Sequence, residues 1–333
     1  MKKDFTIGRN DFSLTVYVPW NCTNNCKFCS SKKDYNIIKP DFNAVKKELK
    51  KVRNSLISIV VFTGGEPSVE VEKLAELIKI VDNKIVYINT TLPKKNSDKF
   101  IDLINSTECI KGVSISRHKT TYLEDTKLLH DICDDKTISK IKKPVRINVV
   151  NYEVDGFNID NIKKYVKRWS KIRKNKSEDY RSLYLNLRSN YVVQTKYNLH
   201  EMEDDKIINA LTNNYYYQGH TFCNVCDTCT FLNIKNGKRD FQIDYHRGLL
   251  TTSLKFGNVI EVNDLILLQD GNMCYDWDGS KDNIKDLLKL LDIRKWYKCV
   301  EIVGDVVESV KDLAAIHFQK KNLALVVIVL IEA

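Results

Sequence analysis

Apolar runs alternate with amphipathic stretches over the first half of the chain, a pattern typical of strands that alternate with helices. Short β-branched runs predict six strands, at Leu14–Trp20, Leu56–Phe62, Ile85–Asn89, Gly112–Ser116, Val145–Val150 and Leu183–Leu187. Helical spacing predicts helices between them, at Phe42–Arg53, Val69–Val81, Asp98–Asn105, Tyr122–Cys133 and Ile159–Arg173. Such alternation favours parallel strands with right-handed crossovers. It fits an open doubly wound sheet or an incomplete barrel, and we predict an α/β fold, a partial (β/α)6 barrel of TIM type.

The pattern changes after about residue 190, where tyrosines and polar residues become frequent. Turn signals at Asn236-Gly237, Phe256-Gly257-Asn258 and Asp270-Gly271-Asn272 predict antiparallel hairpins within Gln242–Asn272. Further helices are predicted at Asp282–Cys299 and Asp305–Ala315. We therefore divide the chain into a core domain, residues 1–200, and a smaller cysteine-rich α+β extension, residues 201–333.

The composition indicates a folded protein and limits the classes of partner that it is expected to bind. Hydrophobic residues make up 43% and charged residues 29% of the 333 residues, which excludes a disordered chain. The longest apolar run, Leu323–Ile331, is too short to span a membrane. The N-terminus lacks the apolar stretch of a signal peptide, which predicts a cytoplasmic protein without a membrane partner. The net charge of +10 favours anionic partners.

Three of the ten cysteines, Cys22, Cys26 and Cys29, follow the first predicted strand with the spacing Cys-x3-Cys-x2-Cys. In a chain without an export signal, thiols this close together indicate a metal site rather than disulfides. A [4Fe–4S] cluster takes four cysteine ligands, so a loop that supplies three leaves one iron open to a small chelating ligand. A zinc loop is the alternative.

A second motif, Thr63-Gly64-Gly65-Glu66-Pro67, ends the second predicted strand. Its two glycines allow the main chain to approach a ligand closely, and Pro67 is suited to the first turn of a helix. Together with Phe28 before the last cysteine of the loop, these motifs resemble the radical S-adenosylmethionine (radical SAM) superfamily. The resemblance covers roughly residues 12–190.

This resemblance implies that Cys22, Cys26 and Cys29 hold a [4Fe–4S] cluster whose open iron binds S-adenosylmethionine. It implies further contacts to the methionine, adenine, ribose or carboxylate from residues at the carboxyl ends of the strands. These cofactor-binding candidates are Phe28, Gly64, Gly65, Glu66, Ser114, Ser116, Asn148 and Leu187. The catalytic candidates are Glu66, Arg117 and His118, and a loop histidine without a role is the alternative for His118.

A second cysteine group, Cys223, Cys226 and Cys229, lies in the extension, and Cys274 follows a predicted hairpin turn. The arrangement resembles the auxiliary-cluster extensions, of SPASM or twitch type, that many radical SAM enzymes carry. It implies a second [4Fe–4S] cluster, and a structural zinc ion held by four cysteines is the alternative. Cys299 is a possible substitute ligand, whereas Cys109 and Cys133 are predicted to be small core residues on helices.

The resemblance implies an enzyme that cleaves S-adenosylmethionine reductively to a 5′-deoxyadenosyl radical, which abstracts hydrogen from the substrate. Positive charge favours a nucleotide-like or modified-nucleobase substrate, for example of deazapurine (queuosine) type, with lyase or rearrangement chemistry. The first strand begins near residue 12, which leaves no room for an N-terminal peptide-recognition domain and argues against a peptide substrate.

Two alternatives remain open, namely an auxiliary-cluster enzyme that modifies a peptide or protein, and a zinc-binding nucleic-acid module. The expected protein partner is an acidic electron donor such as flavodoxin or ferredoxin. The eight basic residues within Lys163–Lys176 are predicted to be a solvated helix face. Docking of the donor or contact with RNA is the functional alternative for that helix.

Overall fold

The centre of the fold, seen in a computed structural model of the chain, is a run of parallel strands. Six strands pair in sequence order and are all parallel, namely β2 (Ser13–Tyr17), β3 (Ile59–Thr63), β4 (Ile85–Thr90), β5 (Ile110–Ser116), β6 (Val145–Asn151) and β7 (Leu183–Ser189). The first strand of the chain, β1 (Asp4–Ile7), belongs to a separate small sheet. The structure describes residues 4–7, 12–24, 26, 28–29, 37–151, 158–174, 182–189, 209, 213, 216–222, 229–236, 239–246, 253–256, 259–262, 264–275 and 284–291.

Helices connect these strands. They are α1 (Phe42–Arg53), α2 (Val71–Ile80), α3 (Ser97–Ser106), α4 (Tyr122–Leu128), α5 (Asp135–Ile138) and α6 (Ile159–Lys174), and a 3-10 turn, Pro67–Glu70, precedes α2. α1 begins as predicted, because Asp41 accepts a hydrogen bond from Ala44 N at 2.9 Å and caps the helix. The α/β class, the six parallel strands and a helix in each of the five connections between them are confirmed.

Two predictions about the connections are wrong. The helix expected over Tyr122–Cys133 ends at Leu128, because Leu129 has extended backbone and Asp131 has a positive φ of 49°. Cys133 therefore lies in a loop, and Cys109 lies in the turn before β5. Cys133 is nevertheless buried in the core, whereas Cys109 is only partly buried.

The extension adds strands to both edges of this sheet. The later elements are β8 (Tyr216–Phe222), β9 (Cys229–Asn236), β10 (Arg239–His246), β11 (Ser253–Phe256), β12 (Val259–Val262), β13 (Asp264–Leu267), β14 (Met273–Cys274) and α7 (Ile284–Leu290). The antiparallel hairpins β9–β10, β11–β12 and β13–β14 confirm the predicted turns. However, β10 also pairs parallel with β7, and β13 pairs parallel with β2, which the turn signals did not predict.

The strand order of the large sheet is β14-β13-β2-β3-β4-β5-β6-β7-β10-β9-β8, and β1-β12-β11 form the small sheet. Residues Met1–Leu291 make one compact unit and Asp292–Ala333 a second. The division of the chain near residue 200 stays a prediction. The predicted helix Asp305–Ala315 lies outside the described residues. Within the described part of the chain, no helix is long and apolar enough to cross a lipid bilayer.

The alternation of side chains along the strands separates two faces of the sheet. On β5, β6 and β7, one set of alternate residues is fully buried in the core that also contains Ile162, Val166 and Trp169 of α6. Apart from Gly112 and Val150, the other set is polar, and it lies on the face of the sheet opposite this core. In a barrel-type fold the helices cover the outside, so this polar set lies on the inner face. The functional residues are therefore expected there and on the loops at the carboxyl ends of the strands.

The hairpin turn between β13 and β14 holds the start of α1. Gln269 O accepts a hydrogen bond from Asp41 N at 2.8 Å. Gly271 has a φ of 85°, and a β-carbon there would lie 2.7 Å from the β-carbon of Ala44. A side chain at this position is therefore strained twice, by its backbone conformation and by contact with α1.

We predict that Gly271→Ala lowers the free energy of unfolding by about 1–3 kcal/mol. The measurement is the denaturant midpoint at unchanged slope. The double variant Gly271→Ala with Ala44→Gly is the control, because it removes the side-chain contact and keeps the backbone strain. Ala44→Gly alone gives the cost of glycine in the helix, so the comparison is a double-mutant cycle. A destabilisation by Gly271→Ala that is equal in the two backgrounds contradicts the contact between the side chains as a source of the effect.

Candidate active site

The first cysteine group lies on the loop that follows β2, at the carboxyl end of the parallel strands. Cys22 and Cys29 are exposed, Cys26 is partly buried, and none of the three forms a disulfide. The carbonyl of Cys26 accepts a hydrogen bond from Cys29 N at 3.2 Å, and the sulfur of Cys22 accepts one from Asn24 N at 3.3 Å. One short loop thus offers three soft donor atoms of the kind that iron–sulfur clusters use.

Cys22 is held as a neutral thiol in this geometry. Although the residue is exposed, the groups packed around its sulfur desolvate the thiolate, and with a smaller effect of the Glu66 charge they raise the pKa of Cys22 to about 11. A metal that binds here therefore has to displace a proton, as coordination by cysteine requires.

Gly65 fixes the path of the chain into this loop. A β-carbon at Gly65 would lie 2.1 Å from the carbonyl oxygen of Trp20 and 3.3 Å from the carbonyl carbon of Asn21, so only glycine fits. Trp20 Nε1 in turn donates to the carbonyl of Glu66 at 2.9 Å. Gly64, with a φ of 92°, adopts the left-handed conformation that favours glycine. The Gly-Gly pair therefore serves packing within the chain, in addition to the approach of a ligand predicted for it.

The carboxylate of Glu66 joins the ends of β3 and β4. Glu66 is 1% exposed. Oε1 accepts hydrogen bonds from Ser68 N at 3.2 Å, Ser68 Oγ at 2.8 Å and the hydroxyl of Thr90, and Oε2 accepts from Thr91 N at 2.7 Å and Thr91 Oγ1 at 2.6 Å. Five donors fill the acceptor sites of a carboxylate. Its arrangement suits a positioning residue, and the catalytic role predicted for it stays a prediction.

Two side chains tie the cysteine loop to neighbouring strand ends. Asn24 donates to Thr91 Oγ1 at 3.0 Å and accepts from His130 N at 2.5 Å. The ring of Phe28 packs edge to face on the ring of His118, with centroids 4.7 Å apart and an angle of 76° between the planes. The loop is therefore held at the ends of β4 and β5 as well as β3.

His118 is a neutral imidazole at physiological pH. It is 5% exposed, and burial, followed by the positive charges of Arg117 and Lys119, lowers the pKa of His118 to about 3. Nδ1 accepts a hydrogen bond from Val150 N at 3.1 Å, which assigns the ring proton to Nε2. The lowered pKa disfavours the charged imidazolium, the ring packs against Phe28, and the catalytic role predicted for His118 stays a prediction.

Arg117 binds main chain rather than an open site. The residue is fully buried, and its guanidinium donates to the carbonyls of Thr91 and Ser116 at 2.7 Å and of Cys133 at 2.9 Å. Its Nε has no hydrogen-bond partner among the described residues. Arg117 thus stabilises the loops after β4 and β5, and a direct catalytic role for it also stays a prediction.

The basic helix α6 is only partly the solvated face that was predicted. Lys163, Lys164, Lys167 and Lys171 are exposed, but Arg168 turns inward. Arg168 pairs with Asp125 at 2.6 Å and Asp135 at 2.7 Å, and Asp125 also accepts hydrogen bonds from His118 N and Lys119 N. This ion-pair network holds the loop that carries His118, because a buried carboxylate must be paired.

Two polar rows cross the inner face of the sheet, each formed by residues in register. The lower row is Asn89, Ser114, Arg146 and Tyr184, and the upper row, nearer the carboxyl ends, is Ser116, Asn148, Asn186 and Asp244. The structure thus brings the predicted Ser114, Ser116 and Asn148 together. Leu187 is different, because its side chain is fully buried in the core on the opposite face.

Sequence reasoning missed Asn186 and Asp244 of the upper row. Asn186 Nδ2 donates to Asn148 Oδ1 at 2.7 Å, and Asp244 accepts from Gln242 Nε2 at 2.7 Å. Burial raises the pKa of Asp244 to about 6, although the hydrogen bond from Gln242 and the charge of Arg146 act in the opposite direction. The alternation in Leu-Tyr-Leu-Asn-Leu-Arg, residues 183–188, was the signal that places Asn186 on the polar face.

The second cysteine group is described only in part. Cys223 and Cys226 lie outside the described residues, and Cys229 begins β9. Cys274 is buried on β14 beside Tyr17 and Ile266, and its thiol donates to the carbonyl of Ile266 at 3.8 Å. β14 and β9 stand near opposite ends of the strand order. Among the described residues, no three His, Cys, Asp or Glu side chains converge on a point that would hold a single metal ion.

Residues 18–206 match the family model of the Radical SAM superfamily, which is more than half of the chain. The chain belongs to the radical SAM superfamily. Membership confirms the predicted resemblance and implies an enzyme that uses a [4Fe–4S] cluster and S-adenosylmethionine. The three thiols on one loop fit such a cluster, because each cysteine binds a different iron and their sulfurs need not meet at one point. No curated protein sequence matches the chain.

Solved structures share this fold at low identity. Streptococcus suis SuiB bound to precursor peptide SuiA is 14% identical, with a TM-score of 0.50 over 79% of this chain and 58% of that chain. SuiB bound to S-adenosylmethionine is 14% identical, with a TM-score of 0.48 and coverages of 79% and 57%. Native anSMEcpe with bound AdoMet and Kp18Cys peptide is 15% identical, with a TM-score of 0.40 and coverages of 54% and 51%. The chain therefore spans less than two thirds of these structures, and the likeness concerns the fold alone.

We predict that Gly65→Ala prevents cluster assembly. The added carbon lies 2.1 Å from a main-chain oxygen, so Trp20 and the cysteine loop have to move. The measurement is iron and sulfide content after anaerobic reconstitution. Gly112→Ala is the matched control, because its nearest contact, at 3.2 Å, is the ring of Tyr87, a side chain that is 37% exposed and able to shift. Equal iron in both variants contradicts the role assigned to Gly65.

We predict that the charged carboxylate of Asp244 lowers the free energy of unfolding near neutral pH. Burial raises its pKa from 3.8 to about 6, so the folded state binds more protons than the unfolded state between these values. The free energy of unfolding consequently falls as pH rises through this interval. Asp244→Asn is expected to remove this fall and to be more stable at pH 7, by at most about 3 kcal/mol. Thermal midpoints from pH 4 to 7 test this, and a wild-type advantage at pH 7 contradicts it.

Proposed function

We propose that this radical SAM enzyme modifies a peptide or protein, with its first cluster held by Cys22, Cys26 and Cys29. The observation that carries the cluster assignment is the cysteine loop itself, which Gly65, Asn24 and Phe28 attach to the carboxyl ends of β3, β4 and β5. Cofactors bind at this end of parallel α/β sheets because the connecting loops converge there.

The chemistry divides between the cofactors and the chain. When bound, the cluster and S-adenosylmethionine supply the radical that abstracts hydrogen from the substrate. The residues of the chain position the cofactors and the substrate, since most of what a protein contributes to such a reaction is geometry. Ser114, Ser116 and Asn148 on the inner face are the proposed contacts to the cofactor. His118, neutral and packed on Phe28, keeps the loop in place without carrying charge.

A peptide substrate is supported by the shared fold of SuiB, which was solved with the precursor peptide SuiA. The first hypothesis, a nucleotide-like substrate, rested on the net charge of +10. In the described structure, several of those charges are exposed lysines on α6, outside the barrel. The two polar rows instead contain one cation, Arg146, and one anion, Asp244. The charge distribution therefore gives no preference for an anionic substrate, and lyase chemistry stays a prediction.

Family membership contradicts the third hypothesis, a zinc-binding nucleic-acid module, for the matched residues 18–206. The second cysteine group remains a proposed site for an auxiliary [4Fe–4S] cluster, with zinc as the alternative. Cys223, Cys226 and Cys229 are the proposed ligands. Cys274 is retained as the fourth, although its buried position beside Tyr17 is one that suits a core thiol equally well.

We predict that the reconstituted enzyme, reduced with dithionite, converts S-adenosylmethionine to 5′-deoxyadenosine, and that Cys22/Cys26/Cys29→Ala abolishes this conversion. The triple variant should keep about four irons if the second group holds a cluster, and zinc without iron if it holds a structural ion. Cys109→Ala is the matched control and should retain full activity, since that thiol lies in the turn before β5. Activity in the triple variant contradicts the assignment of the ligands.

The substrate class is tested in the same assay. Pools of random peptides and a set of nucleotides and deazapurine nucleosides are added separately, and acceleration of 5′-deoxyadenosine formation is measured. We expect the peptides to accelerate it. Acceleration by the nucleosides alone contradicts the proposed peptide substrate and leaves the cluster assignment intact.

A further inference from the structure

Asn186 and Asp244 form an acceptor site on the inner face that the cofactor contacts proposed above do not use. They are neighbours in register on the parallel strands β7 and β10 and belong to the upper row. Asn186 is also in register with Asn148 on β6, which is a proposed contact to the cofactor. Adjacent strands lie about 4.8 Å apart, so Asp244 is about 10 Å from Asn148 across the sheet. A group bound at Asp244 therefore lies on the same row of the inner face as the proposed cofactor contact Asn148, two strands away.

Both residues have few hydrogen-bond donors in the part of the chain that the structure describes. Asn186 is 1% exposed, its amide nitrogen is bonded to Asn148, and its Oδ1 has no donor in the described part of the chain. Asp244 is 4% exposed, and Gln242 is its only hydrogen-bond donor among the described residues. In the lower row, Asn89 Oδ1 is also buried without a described donor. Buried acceptors without donors destabilise a fold, and native proteins keep few of them.

Arg146 is not the partner of this carboxylate. It lies on β6, two strands from β10 and in the lower row, and its Nε donates to Ser114 Oγ at 2.9 Å. Its positive charge acts on Asp244 only from a distance, because no ion pair joins the two among the described residues. Burial dominates and raises the pKa of Asp244 to about 6, and burial likewise raises the pKa of the neighbouring Tyr184.

A purely structural role does not account for this arrangement. An apolar side chain, or an amide, at position 244 would fill the same space without placing a carboxylate in a poorly solvated site. A ligand that brings donors removes the cost, since a cation beside Asp244 stabilises the charged carboxylate and its N–H groups satisfy Asn186 Oδ1. Acceptors and one negative charge, with no facing donor among the described residues beyond Gln242 and Asn148, are complementary to a cationic nitrogen group.

We propose that Asn186 and Asp244 bind a cationic side chain, an ammonium or guanidinium group, of the peptide on which the enzyme acts. The inference rests on the proposed peptide substrate and deepens it, because it names the chemical class of the side chain recognised. The two residues are specificity-determining and positioning residues. The bond from Asn186 to Asn148 links this site to the proposed cofactor contact.

The experiment uses matched peptide pools and the reconstituted enzyme with S-adenosylmethionine. Each pool has random flanks and one fixed central residue, and the pairs are lysine against norleucine and arginine against citrulline. Binding is measured by fluorescence anisotropy of peptides labelled with a neutral dye. For the wild-type enzyme we expect the charged member of at least one pair to bind about tenfold more tightly than its neutral member.

Three variants separate the site from the rest of the molecule. Asp244→Asn keeps the shape, removes the charge and is expected to fold, and it should reduce the tenfold preference to less than about twofold. Asn186→Leu should weaken binding of both charged peptides while leaving the neutral ones unchanged. Asp102→Asn, which removes an exposed carboxylate on α3, is the matched control and should keep the full preference.

Each outcome decides between the two proposals. A wild-type enzyme that binds peptides without preference for the charged members overturns the inference alone. A preference that survives in Asp244→Asn also overturns it, because the carboxylate is then not the recognising group. A wild-type enzyme that binds no peptide pool, but whose formation of 5′-deoxyadenosine is accelerated by nucleosides, overturns the proposed peptide substrate and this inference with it.

Discussion

The site depends on one buried charge, the carboxylate of Glu66. A carboxylate that is 1% exposed is tolerable only when its lone pairs are filled, and the donors that fill them come from the turn after β3 and from the end of β4. Thr91, one of these donors, also accepts a hydrogen bond from the side chain of Asn24 in the cysteine loop. The hydrogen bonds to the Glu66 carboxylate thereby help to fix the position of the cysteine thiols. A shift in the end of either strand would move the cysteine loop as well.

The two faces of the sheet have different roles. Buried polar atoms on the inner face lower the stability of the fold, whereas the opposite face packs against the helices. Leu185 and Leu187 pack with the core, whereas Asn186 between them has a buried side-chain oxygen with no donor among the described residues. Arg117 and the pair Arg168–Asp125 show the opposite tendency, because their polar atoms are mostly satisfied by main chain or by a counter-charge. Of the six buried polar atoms without a described partner, two, Asn89 Oδ1 and Asn186 Oδ1, lie on the face where ligands are proposed to bind. Keeping such atoms at a binding face is expected of functional sites that evolve against stability.

Local signals in the sequence predicted local features of the fold. The helical spacing from Phe42 onward predicted the start of α1, and Asn236-Gly237 predicted a hairpin, because helix periodicity and turn geometry depend on a few adjacent residues. The pairing of β10 with β7 and of β13 with β2 was not predictable, since it joins segments far apart in the chain. For the site, the motifs identified the loop and the Gly-Gly pair. They did not reveal that Glu66 and Arg117 are enclosed by other groups, because burial is decided by packing from several strands.

The pairing of β13 with β2 sets the order in which this chain can complete its fold. Ser13 on β2 donates to Asp264 on β13, a contact between residues 251 positions apart. During synthesis, all of β2–β7 emerges before the strands that cover their two outer edges. Until then β2 and β7 present unpaired main-chain groups, which invite association with other chains. Such distant contacts also slow folding. Production of the folded enzyme is therefore expected to improve when these edges are protected during synthesis, by slow synthesis, low temperature or chaperones.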